Sequence, residues 1–335
     1  MNDKILKLRK SLEIRGYDLG NYKMLKQEYG MPRFAVIKCR KNGLPVVVKI
    51  SPPGDNFGKK IILREFKNSL SVYKLIQSQK SKSFGIPKSI EVGELKRFKM
   101  TYFTQEYVAN SLSYKKRYFK NNEGLFIGNI LEKIQEIEIK KSSLPVYGLT
   151  AYKRDALLRI KRLLKCKLLP KKLEKKIISK YNHISSGEFS KYCGKLCHGD
   201  FSELNFIFTE KKFYLIDWEQ AHSGSVFTDW ARILLRAEMY DKKILNKIGL
   251  TKILDSKTNL PGNYKIISFF KEYFRKRYGS DLANAKKIFN LMYLDRLIWY
   301  LDLKIPRKNH FIYARIIKYY VNRLKLILND KKEII

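Results

Sequence analysis

A carboxylate and a carboxamide lie five residues apart in the segment CHGDFSELNF, at Asp200 and Asn205. A second carboxylate, Asp217, closes the run FYLID, which follows IFT and a polar turn and predicts a short β-hairpin. Because a hairpin folds its second strand back along the first, we expect Asn205 and Asp217 to converge. Carboxylate and amide oxygens are ligands that Mg²⁺ takes in proteins, together with phosphate oxygens and water. These residues therefore predict a magnesium site.

Asp200 is then available to orient a hydroxyl nucleophile and to accept its proton. A lysine that could neutralise phosphate charge stands earlier in the chain, at Lys49 in the predicted strand VVVKI. Glu65 follows on the next predicted helix, where an ion pair could hold Lys49 extended. Metal ligands, a positioned aspartate and a lysine are the groups that phosphoryl transfer uses.

The hydrophobic pattern predicts a β-rich first part of the chain and a helical second part. Strands are predicted at residues 33–39, 44–51, 88–95 and 99–108, with a turn at Lys41-Asn42-Gly43 between the first two. Helices are predicted at residues 60–77, 125–139, 156–169, 173–184, 285–303 and 311–328. The pattern thus indicates an α+β protein with a small β-rich lobe over 1–108 and a larger helical lobe, carrying one inserted hairpin, over 109–335.

The pair HGD-x4-N and IDWE resembles the aminoglycoside phosphotransferase and choline kinase group of the protein-kinase-like superfamily. Further segments agree with that group in the same order along the chain: VVVKI, LREF, TQEYV and FTDWARIL. The resemblance implies a bilobal protein-kinase-like fold, with an antiparallel β-sheet lobe for the nucleotide and a helical lobe for catalysis and the acceptor. It also implies an ATP- and Mg²⁺-dependent phosphotransferase that acts on an alcohol hydroxyl.

The resemblance also implies a role for each matching residue. Asp200 corresponds to the catalytic base, and Asn205 and Asp217 correspond to the Mg²⁺ ligands. Lys49 corresponds to the lysine that contacts the α- and β-phosphates, and Glu65 to the glutamate that holds it. Three consecutive residues correspond to the segment whose backbone meets adenine: Glu106, Tyr107 and Val108. His198 and Asp229 correspond to residues that brace the catalytic loop.

The chain departs from the protein kinases of the superfamily in three places. A GxGxxG motif is absent before the first strand, where only Gly30 marks the position of a phosphate-covering loop. Gly199 stands where protein kinases usually carry an arginine, and the short segment 217–229 contains no APE motif. The short segment 217–229 leaves no long platform for a peptide substrate. The expected acceptor is therefore a hydroxyl of a small molecule or a sugar.

The charge of the chain narrows the choice of acceptor. Lysine and arginine number 70 against 31 aspartate and glutamate residues, which gives a net charge of +39. Such a field attracts anions and repels a polycation, so it favours an anionic acceptor or an envelope glycan of the lipopolysaccharide type over choline or an antibiotic. A catalytically inactive binding protein with a kinase fold is the alternative from another class. No specific nucleic acid is expected as a partner. Non-specific nucleic-acid binding is a further possibility from the charge alone, but it predicts basic residues interleaved with aromatics on one face, and the sequence shows no such segregation.

Three remaining features concern location and the late helices. The four cysteines lack zinc spacing and are expected to be reduced thiols of a cytoplasmic protein. Asp295 and Asp302 share one face of a late helix, where they could line the acceptor site or face solvent. The last helix, residues 311–328, carries an apolar stripe that could lie on an anionic membrane, although packing in the core is the expected arrangement.

Overall fold

The computed structural model describes residues 12–26, 34–79, 84–109, 123–139, 142–239 and 263–329. The described residues form two compact units. The first unit draws its residues from Met1–Lys116, Lys140–Leu144 and Glu203–Ala221, and the second from Arg117–Ile139, Pro145–Ser202 and His222–Ile335. The sequence pattern assigns the segment Glu203–Ala221 to the helical lobe, whereas the structure groups it with the N-terminal unit.

The strands in the described ranges are β1 Tyr17–Lys26, β2 Ala35–Lys41, β3 Leu44–Ile50, β4 Ser89–Leu95, β5 Met100–Glu106, β6 Lys195–Cys197, β7 Phe206–Phe208, β8 Phe213–Leu215 and β9 His222–Gly224. The helices are α1 Asn56–Ser78, α2 Glu123–Gln135, α3 Leu149–Lys165, α4 Lys171–Asn182, α5 Ser186–Ser190, α6 Phe227–Met239, α7 Asn263–Tyr278, α8 Leu282–Leu303 and α9 Phe311–Leu328. None of these helices is long and apolar enough to cross a membrane.

The first unit is built on a five-stranded antiparallel sheet with the strand order β1-β2-β3-β5-β4. Asn42 and Gly43 at the β2–β3 turn both have positive φ, 49° and 79°, which confirms the predicted tight turn. Side chains alternate along a strand, so Val46, Val48 and Ile50 join the apolar cluster on one face of the sheet. Lys49 consequently points to the opposite face, where α1 packs.

Helix α1 begins at Asn56, four residues before the predicted start. Asp55 caps it, since its carboxylate accepts a hydrogen bond from the Phe57 amide at 3.0 Å. The buried stripe of the helix is largely apolar but includes Glu65 and Asn68. Phe66 packs edge-on against Phe103 of β5. Burial of two polar side chains on this stripe requires partners for both.

The hairpin of β7 and β8 belongs to the first unit and joins it through Gly85. The Gly85 amide donates to the Phe213 carbonyl, and the Gly85 carbonyl accepts from the Leu215 amide. A Cβ at Gly85 would lie 2.5 Å from the ring of Tyr214, so only glycine permits this approach. The predicted second strand is shorter than expected, because β8 ends at Leu215 and Asp217 follows it with φ 67°.

The second unit is organised around α8, which packs against α3 and α6. Residues 291–301 of this helix are all buried. A helix that is covered on every side is a core helix, and the charged residues Asp295 and Arg296 within it must be paired inside the protein. On α9, Tyr320 and Leu324 are fully buried. The apolar stripe of α9 therefore packs in the core, as expected.

Helix α3 covers 149–165 rather than the predicted 156–169. Gly148 precedes the helix in an extended conformation. At the other end Lys167 takes a left-handed conformation with φ 57°, which reverses the chain toward Pro170 at the start of α4. A run of leucines from 163 to 169 concealed this reversal, because its apolar spacing continues through the turn.

Candidate active-site residues

Lys49 lies in β3, in register with Val36 of β2 and Phe103 of β5. Its Nζ is 2.5 Å from Glu65 Oε2 and 3.5 Å from Asp217 Oδ1. The ring of Phe34 covers the ammonium at 4.8 Å from its centroid. The predicted pair of Lys49 and Glu65 is thus formed, and the structure adds Asp217 to it.

The three charged groups influence one another strongly. Burial lowers the pKa of Lys49, but the carboxylates of Asp217 and Glu65 outweigh it and raise this pKa, so the ammonium stays charged at neutral pH. Burial raises the pKa of Glu65 to about 7, against the opposing effect of the Lys49 ammonium. The cluster is therefore a fixed cation held between two carboxyl groups, an arrangement suited to a polyphosphate.

Asn205 and Asp217 lie at the same end of the β7–β8 hairpin. The amide of Ile216 donates to the Asn205 carbonyl at 3.0 Å, one residue beyond the paired positions Phe206 and Leu215. Asp217 turns away from the strand in its left-handed conformation, and a short 3₁₀ helix at Trp218–Gln220 follows it. The hairpin thus brings the backbone of Asn205 next to Ile216, the residue before Asp217, while a metal site shared by the two side chains stays a prediction.

The donor set at this end of the hairpin is one carboxylate and one carboxamide, both oxygen ligands of the kind that Mg²⁺ accepts. In the described part of the chain, no group of three or more His, Cys, Asp and Glu side chains could form an all-protein metal cage. Mg²⁺ is commonly bound by one or two protein oxygens that share it with substrate phosphates. The residues present fit such a phosphate-sharing site.

The segment after Asp217 is fastened to α1 by residues that sequence reasoning missed. Asn68 of α1 donates to the carbonyls of Glu219 and Ala221 at 2.9 and 3.2 Å. Arg64, also on α1, pairs with the Glu219 carboxylate, whose pKa is raised by burial. The available signal was the position of Arg64, directly before Glu65 in LREF. These contacts join the helix that carries Glu65 to the segment that carries Asp217.

The predicted adenine-contacting segment lies at the end of β5. The amide of Glu106 donates to the Lys88 carbonyl at 2.9 Å, and the amide of Tyr107 donates to the Pro45 carbonyl at 3.2 Å. Both amides are thus engaged within the first unit. An adenine contact from this segment would therefore fall to the Val108 amide or to a carbonyl oxygen such as that of Glu106.

The loop that carries Asp200 belongs to the second unit and is held from below by Asp229. The carboxylate of Asp229, in the first turn of α6, accepts hydrogen bonds from the His198 amide at 2.7 Å and the Gly199 amide at 2.8 Å. Gly199 has a φ of 80°, which favours glycine over the arginine of protein kinases. Burial raises the pKa of Asp229, and the two amide bonds oppose this shift. The loop-bracing role expected of Asp229 is confirmed.

Asp200 itself is paired with an arginine that the sequence pattern did not indicate. Arg232, one turn after Asp229 on α6, donates from Nε to Asp200 Oδ1 at 2.8 Å, and its Nη2 lies 2.6 Å from the same oxygen. The guanidinium stands over the rings of Trp299 and Tyr300, 4.7 and 5.8 Å from their centroids. Arg232 is almost completely buried, so the orientation of the Asp200 carboxylate is well defined.

Asp295 neither lines an acceptor site nor faces solvent, contrary to both expectations for it. It is fully buried and accepts hydrogen bonds from Tyr181 at 3.0 Å, Arg159 at 3.3 Å and Arg296 at 2.7 Å. Arg296 also reaches the Gly199 carbonyl at 3.4 Å. Asp302 is bound in a bidentate manner by Arg162, at 2.8 and 2.6 Å. Asp295 therefore positions Arg296, which in turn contacts the loop that carries Asp200.

The structure thus brings Lys49, Glu65, Asn205 and Asp217 into the first unit and surrounds Asp200 with bracing side chains in the second. The meeting of Asp200 with Asn205 and Asp217 around one nucleotide joins residues of different units and stays a prediction.

Comparisons with known proteins agree with this arrangement of elements. Residues 151–236 match the RIO domain, a range that includes Asp200, Asp217 and Asp229. No curated protein matches the chain. Among solved structures, a thermostable mutant of aminoglycoside phosphotransferase APH(4)-Ia, in ternary complex with AMP-PNP and hygromycin B, is 12% identical with a TM-score of 0.62, and the match covers 97% of this chain and 99% of that chain.

Two further solved structures resemble the chain to a similar degree. The GDP and kanamycin complex of APH(2")-IIia is 13% identical with a TM-score of 0.59, covering 98% of this chain and 100% of that chain. The amicoumacin kinase hAmiN, solved with AMP-PNP and Ca²⁺, is 12% identical with a TM-score of 0.54, and the match covers 98% of this chain and 94% of that chain. These likenesses confirm the predicted α+β protein-kinase-like fold, and over nearly its whole length the chain is structurally similar to the aminoglycoside phosphotransferases.

Proposed function

We propose that the protein is an ATP- and Mg²⁺-dependent phosphotransferase that phosphorylates a hydroxyl group of a small molecule or a sugar. The observation that carries this proposal is the cluster of Lys49, Glu65 and Asp217, in which a buried ammonium is held between two carboxyl groups. The fold supports the proposal, since the structurally similar proteins include phosphotransferases solved with AMP-PNP, ADP and GDP.

The nucleotide half of the reaction falls to residues of the first unit. Lys49 neutralises charge on the α- and β-phosphates, and Glu65 keeps the lysine extended. Asn205 and Asp217 would hold Mg²⁺, which supplies further neutralisation of phosphate charge when it is bound. The Glu106 carbonyl and the Val108 amide would recognise adenine. These side chains act by positioning and electrostatic stabilisation, which supply most of the catalysis in phosphoryl transfer.

The acceptor half falls to Asp200. Its carboxylate accepts the proton of the attacking hydroxyl as the new bond forms between that oxygen and the γ-phosphorus. The bond between the γ-phosphorus and the bridging oxygen breaks, and ADP leaves with the electron pair. Arg232 and Asp229 orient the carboxylate and its loop, which places the base before the acceptor arrives.

The acceptor we favour is neutral or anionic, such as a sugar or an envelope glycan. Four carboxylates of the second unit are paired with arginines and are not available to a cationic acceptor. These pairs are Asp200 with Arg232, Asp295 with Arg296, Asp302 with Arg162, and Glu238 with Arg323. Together with the net charge of +39, they disfavour a polycation such as kanamycin. The four cysteines are free thiols, which supports the cytoplasm as the compartment.

The proposal is tested with γ-labelled ATP, Mg²⁺ and a panel of a neutral hexose, a hexose phosphate, a sugar acid and kanamycin. Transfer to at least one of the first three acceptors is expected. Asp200→Asn is expected to lower transfer by about 1,000-fold while Mg-ATP binding is nearly unchanged. Asp217→Ala is expected to remove Mg²⁺-dependent nucleotide binding, and Asp302→Asn is the matched control that leaves both properties intact.

Two results would contradict the proposal in different ways. Full transfer by Asp200→Asn would remove the base that we assign. Nucleotide binding without transfer to any acceptor and without ATP hydrolysis would instead favour the catalytically inactive binding protein.

A further inference from the structure

Helices α3 and α4 form an antiparallel hairpin on the second unit, which we call the basic hairpin (residues 149–182). Lys153 near the start of α3 donates to Asn182 at the end of α4 at 2.5 Å, which ties the open end of the hairpin. Leu163, Leu173 and Ile177 are buried on its inner side. The hairpin contains twelve lysine and arginine residues and two acidic residues. These side chains give the hairpin a net charge of +10.

The positive charge is concentrated on the outer face of the hairpin. Ten residues between 154 and 176 are exposed, and nine of them are basic. The nine are Arg154, Lys161, Arg162, Lys165, Lys167, Lys171, Lys172, Lys175 and Lys176. An ordinary solvent-facing helix mixes both signs of charge, because opposite charges at i and i+4 stabilise it.

The arrangement costs the hairpin local stability. Lys161 and Lys165 are four residues apart on α3, and Lys171 and Lys175 are four apart on α4. Like charges at this spacing repel each other along a helix. An external anionic surface would relieve that repulsion.

Apolar features interrupt the basic face. Leu158 is 51% exposed among the basic residues of α3. At the tip of the hairpin, an open cavity of about 550 Å³ has apolar walls formed by Leu164, Leu168, Pro170 and Val321, with Lys167 and Lys171 at its edge. The tip thus offers apolar surface next to ammonium groups, which matches the boundary between lipid headgroups and acyl chains.

The same features argue against RNA as the occupant. Single-stranded nucleic acid is bound by aromatic side chains that stack on bases, beside a basic groove. Both tyrosines of the basic hairpin, Tyr152 and Tyr181, are buried, with 1% and 2% of their surfaces exposed. The outer face therefore offers charge and aliphatic surface but no stacking platform.

We propose that the outer face of the basic hairpin is a docking surface for a bilayer that contains anionic lipid. The protein would rest on the membrane by electrostatic attraction, supplemented by aliphatic contact at the hairpin tip, without inserting a helix across it. Each lysine close to an anionic bilayer contributes to such binding, and the attraction falls off within a Debye length. This inference does not depend on the proposed phosphotransferase activity.

The test is sedimentation of the full chain with vesicles of phosphatidylcholine that contain about one third phosphatidylglycerol, compared with pure phosphatidylcholine. Binding is expected only to the anionic vesicles and is expected to be lost at about 1 M salt. The hairpin variant carries Lys161→Gln, Lys165→Gln, Lys171→Gln and Lys175→Gln, and should bind about 100- to 1,000-fold more weakly. Removing like charges should not unfold it.

The matched control removes four exposed lysines from other surfaces, through Lys74→Gln, Lys195→Gln, Lys271→Gln and Lys276→Gln. It has the same net charge as the hairpin variant and is expected to retain most of the vesicle binding. Equal weakening of both variants would overturn the proposal, because the net charge rather than this face would then set the affinity. Failure to bind anionic vesicles at about 10 mM salt would overturn it as well. The proposal would also be overturned if the protein bound poly(U) more tightly than the vesicles and this binding depended on the same four lysines.

Discussion

Lys49 and Glu65 form a largely buried ion pair, with 17% of the lysine side chain and 5% of the glutamate side chain exposed. A buried pair is costly to break, because removing one partner leaves an uncompensated charge in the protein interior. At pH 8, Lys49→Met is therefore expected to lower the free energy of unfolding by about 3 kcal/mol in urea denaturation. The double variant Lys49→Met/Glu65→Leu should recover most of this loss. Equal destabilisation of the single and double variants would show that the pair is not what stabilises this part of the unit.

The titration of Glu65 gives the pair a dependence on pH. The pKa of Glu65 is raised from 4.5 to about 7, so the folded chain holds this proton more tightly than the unfolded chain does. As pH rises from 4.5 to 7, the unfolded state loses the proton first, and this group's contribution to stability falls by roughly 3 kcal/mol. Above pH 7 the contribution stays constant.

The measurement is the free energy of unfolding of the wild type minus that of Glu65→Gln, determined across this pH range. Subtraction removes the contribution of other carboxyl groups, which titrate in both proteins. A difference that is flat between pH 4.5 and 7 would contradict the raised pKa of Glu65.

Arg232 is the residue that most directly fixes the Asp200 carboxylate. Arg232→Met is expected to lower phosphate transfer by about 100-fold through misplacement of the base. Mg-ATP affinity should not change, because Lys49 and Asp217 lie on other elements. Arg232→Lys should restore part of the rate, since an ammonium replaces the charge but not the planar geometry of the guanidinium. Steady-state kinetics that separate kcat from the KM for ATP decide the matter, and full activity in Arg232→Met would refute this role.

At the scale of elements, α6 supports the loop after β6 through one buried carboxylate. In Asp229→Asn the side-chain oxygen can still accept a hydrogen bond from one of the two backbone N–H groups, His198 or Gly199. The side-chain NH₂ group would then face the other N–H group, which is also a donor. We expect a loss of about 2 kcal/mol in unfolding free energy. Amide hydrogen exchange of His198 and Gly199 should become faster than the loss of global stability alone explains. Exchange in the core of α8 should speed up only as much as the global stability falls. Unchanged exchange at these two amides would show that the loop is held by other contacts.

The elements that sequence alone predicted well are those whose boundaries are marked by local chemistry. The turn at Asn42-Gly43 requires positive φ at both positions, and the predicted span of α9 agrees with the structure. The boundary of α3 was wrong because its end depends on a left-handed lysine, Lys167, which no composition rule favours. Periodicity locates the apolar face of a helix but not the residue at which the chain leaves it.

The sequence predicted the part of the site that depends on local spacing and missed the part that depends on packing between distant elements. Lys49 and Glu65 carry a recognisable spacing, and their ion pair is observed. The contacts of Arg296 with Gly199, and of Asn68 with Glu219, join residues 97 and 151 positions apart. Such contacts depend on which helices pack together, which periodicity within one helix cannot indicate. A charged residue inside a continuous apolar run, such as Asp295 on α8, is the available signal for a buried network.

At the scale of the whole molecule, the net charge of +39 opposes the compact state through self-repulsion. Salt also weakens ion pairs, but exposed pairs such as Lys59 with Glu94 contribute little, and the buried pair of Lys49 and Glu65 is poorly screened. Relief of repulsion should therefore dominate, and raising the salt from about 10 mM to about 150 mM should raise the thermal unfolding midpoint.

The four-lysine hairpin variant sharpens this last prediction. At low salt its unfolding midpoint should exceed that of the wild type, because it loses four charges and two like-charged pairs at i and i+4 spacing. The control variant loses the same charge and one like-charged pair, Lys271 with Arg275, but it also loses the attractive pair of Glu272 with Lys276 and should gain less. Both gains should shrink as salt is added, since screening already removes the repulsion in the wild type. Scanning calorimetry of the three proteins measures the effect, and a midpoint that falls with added salt would mean that attraction between opposite charges outweighs the excess of positive charge.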